Sequence, residues 1–167
     1  MAARVKVRTK FDLASVRNVL APTVEVLEDV GRFSATRIQQ FTRSGKTLAK
    51  ADKPEPLKPL SKPYKLQRAE WVKQGRQLSD FFKVNKSNLQ ATGQLIDSVT
   101  FKIPREKNTV DVTVSGNRRG EQLSNQQLAS YVAKQGRPFL GLDLNGIKRI
   151  KNIVLRALRR RLKAYNK

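Results

Sequence analysis

The stretch "VTFKIPREKNTVDVTV", residues 99–114, decides the fold. "VTFKI" and "TVDVTV" each alternate apolar and polar residues, the pattern of a strand with one buried face. Between them "PREKN" places Pro104, which lacks a donor for a ladder and so marks the end of the first strand. The two strands and their short connection read as a β-hairpin, and Gly116 closes the second strand. Near the start of the chain, "RVKVR" (residues 4–8) alternates in the same way and reads as a short strand or extended arm.

Working outward, the pattern turns helical. Asp12 is placed to cap a segment carrying Leu13, Val16, Val19 and Leu20 on one face. Pro22 interrupts it and suits the first turn of a second helix. That helix carries Val26, Val30, Phe33, Ile38 and Phe41, ends in "RSGK" with Gly45 as a left-handed terminus, and reads as the longest in the chain, packed across the sheet. Residues 46–63 hold four of the seven prolines. Each proline removes a donor and restricts its predecessor, so this Pro/Lys-rich stretch reads as an extended arm or long loop, with Lys53, Pro54, Lys58 and Pro59 as its contact residues. Ser61 and Pro63 fit the cap and first turn of a helix over "YKLQRAEWVKQGR", where Tyr64, Leu66, Trp71 and Leu78 supply apolar contacts. Trp71, the one tryptophan, reads as an anchor to the core in preference to an interface residue. "LQATGQLIDS" (89–98) suggests a short helix or helical turn with a glycine inside it. Residues 117–123 form a flexible basic loop containing Arg118 and Arg119. Ser124 opens a helix that stops at Gly136.

"GRPFLGLD" (136–143) follows, a turn-prone apolar plug. Gly136 lets the chain leave the helix and Pro138 fixes an extended exit. Phe139 then fills its own subunit's core, while Arg137, Pro138, Leu140 and Leu142 complete a structural plug or line a subunit contact. From Asn145 to Lys167 runs a strongly amphipathic helix with Ile147, Ile150, Val154, Leu158 and Leu162 as its stripe. The expected fold is therefore α+β in a single domain over 1–167. A small antiparallel β-sheet is packed on one face by long N-terminal and C-terminal helices.

The totals narrow the function classes. Thirty-five Lys and Arg against thirteen Asp and Glu give a formal charge of +22 over 167 residues. Such self-repulsion points to a polyanion or an acidic protein surface as partner, nucleic acid being the commonest. Cysteine and histidine are absent, which excludes disulfides, thiolate chemistry and thiolate zinc sites, and removes the usual general base. No apolar run approaches a membrane span, and "MAARVKVRTK" lacks the apolar segment of a secretory signal, so a cytosolic site of synthesis and work is expected. No metal-ligand cluster, Walker loop or nucleotide-binding glycine motif is present. Asp97 and Asp111 fall near the hairpin, where pairing with neighbouring Lys and Arg explains them. No enzyme and no cofactor are expected.

The last helix carries nine Lys and Arg and no acid between Asn145 and Lys167. An ordinary solvated helix intersperses Glu to form pairs at four-residue spacing. Arg156, Arg159, Arg160, Arg161 and Lys163, joined by Arg118 and Arg119, are therefore the candidate contacts to DNA or an acidic surface. No aromatic residue is interleaved with these arginines, so backbone contact without sequence reading is the expected mode.

The order of short motifs adds a resemblance. Pro59, Leu60 and Ser61 precede a Lys/Arg-rich helix; Thr92, Gly93, Leu95, Ser98 and Val99 open the sheet. Tyr131, Ala133 and Gly136 follow on a helix, then Arg137, Pro138 and Phe139 with Leu140 and Gly141. In this order and spacing, over roughly residues 12–165, the chain resembles the bacteriophage virion-morphogenesis proteins of the tail-completion or neck family of long-tailed double-stranded DNA phages. The resemblance implies a structural virion protein assembled in the host bacterial cytoplasm. It implies a homo-oligomeric, hexameric ring that seals or lines the DNA channel at the head–tail joint, between head-connector and tail-terminator or tail-tube proteins. The 46–63 arm would reach a neighbouring subunit. The alternatives are a free, sequence-independent nucleic-acid-binding protein of ribosome or nucleoid, and a tail-terminator ring subunit.

Overall fold

The computed structural model describes residues 5–8, 22–48, 53–80, 82–86, 89, 93–104, 108–117 and 123–165. The helix expected from Asp12, and Thr92, Arg118 and Arg119, lie outside the described residues. The fold is α+β. Strand β1 (Val5–Arg8) is followed by helix α1 (Val24–Arg43), a small hairpin of β2 (Lys46–Thr47) and β3 (Glu55–Pro56), and helix α2 (Lys62–Lys73). Then come a single turn α3 (Gln94–Asp97), strands β4 (Val99–Lys102) and β5 (Thr109–Val114), helix α4 (Asn125–Lys134) and helix α5 (Leu144–Tyr165).

The expected hairpin is β4–β5, antiparallel, with Val99 opposite Val114 and Phe101 opposite Val112. β1 adds to the other edge of β5, with Val5 opposite Val112 and Val7 opposite Val110, giving the order β1–β5–β4. Alternation puts Val110, Val112 and Val114 on one buried face and Thr109, Asp111 and Thr113 on the other. The register sets Asp111 between Lys6 and Lys102, while Asp97 pairs with Arg43 at 2.6 Å. Asp97 thus meets a cation, as its sequence setting suggested, whereas Asp111 makes no ion pair among the described residues and its buried Oδ1 has no hydrogen-bond partner there.

α1 covers the buried face of the sheet. Its buried positions are Leu27, Val30, Gly31, Ser34, Ala35, Ile38 and Thr42, a stripe at three- and four-residue spacing. The small residues at its centre bring the helix close. A side chain at Gly31 would overlap the Phe101 ring, while Phe33 and Phe41 lie half-buried at the margins of the stripe. Ser34 is satisfied by its bond to the Val30 carbonyl, 2.7 Å. Pro22 stands outside the helix, since Thr23 is the cap and its hydroxyl accepts the Val26 N–H. Gly45 adopts the expected left-handed conformation, φ 81°. With 20 residues α1 is shorter than α5, which has 22.

Two apolar clusters result. One gathers Ile38, Ile96, Val112, Val114 and Phe139 between α1, α3 and the sheet. The other joins Leu27 and Val30 of α1 to Val110, Ile150 and Val154. Phe101 and Leu142 touch both. α1 and α5 therefore run antiparallel, with Arg37 meeting Asp143 at one end.

Three stretches depart from expectation. The 46–63 segment is not simply extended: β2 and β3 pair, and Leu48, Leu57 and Leu60 are buried in the chain's own body. The prolines correctly signalled irregular backbone, but the leucines between them find an apolar seat. The turn near Leu95 begins only after Gly93, which is left-handed at φ 80° and lies ahead of the helix. In α2, Leu66 points to solvent at 73% exposure, and the buried residue is Arg68.

Candidate nucleic-acid interface

The site is built from the end of the plug. α4 opens with a reciprocal capping box between Ser124 and Gln127, and it stops at Gly136, φ 78°. The exit is then tied at three points. Arg137 donates to the carbonyls of Lys58 (3.0 Å) and Pro59 (2.8 Å), and the Thr47 hydroxyl donates to the Pro138 carbonyl. The arm is thereby fastened to the plug of the same chain. Phe139 and Leu140 turn into the core at 2% and 9% exposure, and Leu142 is half-buried.

Asp143 comes next and sets the direction of α5. Its carboxylate is fully buried and receives Arg37 through two bonds, Nε at 2.9 Å and Nη2 at 2.8 Å. It also accepts the Gly146 N–H at 3.0 Å, while its carbonyl accepts the Ile147 N–H at 3.0 Å. One residue thus caps the helix and pins it to α1. The Arg37 bond in particular, with the Gly146 N–H, holds the Asp143 carboxyl below the usual carboxylate range, against the opposing effect of burial.

From there α5 runs about 33 Å at 1.5 Å per residue. Ile150 and Val154 are buried, with Ile153, Ala157 and Leu158 half-buried beside them. Two residues of the expected stripe, Ile147 and Leu162, are exposed instead, at 49% and 41%. They lie near the two ends of the helix.

Of the predicted contacts on this helix, Arg156, Arg159, Arg160 and Lys163 are exposed and make no ion pair among the described residues. Arg161 is not among them on that face. It is eleven residues from Ile150, three full turns, so it falls on the packed side, half-buried and engaged there. Exposed Lys148 and Arg149, eight and seven residues before Arg156, extend the outer face instead. From Lys148 to Lys163 this basic stripe spans about 22 Å, the rise of roughly six to seven base pairs of duplex.

The stripe carries its own repulsion. Arg156–Arg160 and Arg159–Lys163 are like charges at four-residue spacing, unfavourable by a few tenths of a kcal/mol each. The helix dipole offsets part of this at the C-terminal end. The exposed acids Glu25, Glu28 and Asp29 gather on the first turns of α1, so charge is segregated and only part of the surface favours a polyanion. In the arm, Lys53, Lys58 and Pro59 are exposed and Pro54 is half-buried. Among the described residues, no group of three His, Cys, Asp or Glu is placed to hold a metal ion, and no helix is long and apolar enough to cross a membrane.

No protein-family profile, curated protein or solved structure matches the chain.

Proposed function

We propose that the chain is a structural protein of the phage neck, a tail-completion or head–tail joining subunit that forms a ring around the DNA channel. The observation that carries this is the outer stripe of α5. It is a rigid, acid-free row of cations fixed in direction by the buried Arg37–Asp143 pair. Such a row contacts duplex phosphates without reading bases, as a channel wall requires. A ring of identical copies repeats that row around an axis. The exposed acids of α1 leave a differently charged surface for protein neighbours. Exposed Lys53, Lys58 and Pro59, on an arm whose leucines are anchored, are the part of it open to a neighbouring subunit.

The test is a phage from which this gene has been deleted. Lysates are expected to contain packaged heads and separate finished tails, and addition of the purified protein is expected to join them into particles visible by negative-stain microscopy. Normal virions without the gene contradict the reading and favour a free polyanion-binding protein, which the same stripe would serve.

A further inference from the structure

A second cluster lies apart from α5 and from both apolar cores. Tyr64, Trp71 and Phe82 come together where α2 meets the segment 82–86, and none of the three belongs to either core cluster. Tyr64 and Trp71 meet edge to face with ring centroids 5.9 Å apart. All three rings are only half-buried. The Arg76 guanidinium stands 5.6 Å over the Trp71 ring, and Arg76 is itself exposed.

At the centre is Arg68, 2% exposed, with its guanidinium 4.3 Å over Phe82 and 5.8 Å over Tyr64. Nη1 donates to the Lys86 carbonyl at 2.9 Å, but buried Nε and Nη2 have no hydrogen-bond partner among the described residues. A packing cluster made only for stability would put Leu or Met there, because a buried cation with unmet donors is unfavourable. Arg68 instead keeps the potential at the rings positive. The surrounding stretch, 62–86, adds Lys62, Lys65, Lys73, Arg76, Lys83 and Lys86 against only Glu70 and Asp80.

We propose that this cluster is a stacking site for the unpaired bases of single-stranded nucleic acid. Half-exposed aromatic faces within a cationic surface are what base stacking with backbone neutralisation requires. Trp71 and Tyr64 supply the faces. Arg76, on a flexible exposed stem, yields its place over Trp71 to a base and moves to the adjoining phosphate. Arg68 acts as a positioning residue, holding Tyr64 and Phe82 on either side of itself. A duplex keeps its bases stacked inside and cannot use the site, so it is distinct from the phosphate-reading stripe of α5 and does not rest on the neck reading.

Trp71 is the one tryptophan in the chain, so its emission reports on this cluster. The full-length protein is titrated with oligo(dT) of about 12 nucleotides, near the size of a small single-strand site, and with a hairpin duplex of equal charge. Binding is followed in parallel by anisotropy of a labelled strand. Oligo(dT) is expected to quench Trp71 on binding, and the duplex to bind with much less quenching. Tyr64→Ala and Arg76→Gln are expected to weaken oligo(dT) roughly tenfold. Trp71→Phe is expected to retain labelled oligo(dT) binding better than Trp71→Ala, with circular dichroism confirming that each variant is folded. The α5 variant Arg156→Gln/Arg159→Gln/Arg160→Gln is expected to keep the quench. Oligo(dT) bound without quenching, equal quenching by duplex at equal occupancy, or a quench abolished by the α5 variant would each overturn the proposal.

Discussion

Phe139→Ala is expected to lower the unfolding free energy by about 3–5 kcal/mol, the range for removing a buried aromatic ring, and to lower Tm by roughly 10 °C for a domain of this size. The ring is 2% exposed and lies in the cluster with Ile38, Ile96, Val112 and Val114. Collapse into the space is hindered on the plug's side, because Arg137 and the Pro138 carbonyl are tied to the arm. Phe139→Leu keeps much of the volume and is expected to cost less than half as much. Thermal unfolding by circular dichroism distinguishes this from an interface role: a ring serving only a subunit contact would leave the isolated protein's Tm unchanged.

Asp143→Ala is expected to cost a similar amount, about 3–5 kcal/mol, because it leaves Arg37 partly buried and unpaired. Arg37 is 18% exposed on its side chain and Asp143 fully buried, so solvent does little to replace the lost partner. The double variant Arg37→Met/Asp143→Leu is expected to recover most of the loss, since apolar replacement of both ends of a buried pair is often neutral or better. The same pair sets an acid limit. Asp143 has its carboxyl pKa depressed in the fold, chiefly by Arg37, so the unfolded chain takes up the proton first as pH falls. The contribution is complete above the ordinary aspartate range, near pH 4. It is lost as pH drops through the depressed value. Denaturant melts of wild type and Asp143→Ala across pH 2–6 are expected to converge at the acid end.

The hairpin was legible because a two-residue period has one structural reading when the strand ends are marked by Pro104 and Gly116, whereas the same period at residues 4–8, without such marks, left strand and extended arm both open. α5 was legible as an element but only partly as a surface. Ile150 and Val154 are buried as their spacing implied, yet the run "RRR" at 159–161 does not show by itself which arginine turns inward. Counting three turns from Ile150 identifies Arg161. Lys148 and Arg149 join the outer face by the same count. The arm was read from its prolines, which report local backbone, whereas the seats of Leu48, Leu57 and Leu60 exist only once the rest of the chain has folded. Arg37 and Asp143 are 106 positions apart, and no local pattern links them. Arg68 occupies a position where apolar spacing pointed to Leu66, because its neighbours across space are aromatic rings that a buried guanidinium can stack on.

The central claim is that the outer stripe of α5 holds polyanions by phosphate contact, and the dependence of duplex affinity on salt measures it most directly. Wild type and Arg156→Gln/Arg159→Gln/Arg160→Gln are titrated with the same duplex between about 50 and 200 mM salt, the range over which counterion release is strong. Each phosphate contact removed flattens the log–log slope by about 0.9, so the triple variant is expected to be shallower by roughly 2.7. Arg161→Gln, on the packed side, is expected to leave the slope as it is. A triple variant with the wild-type slope, or an Arg161→Gln variant that flattens it as much as an outer arginine does, contradicts the account.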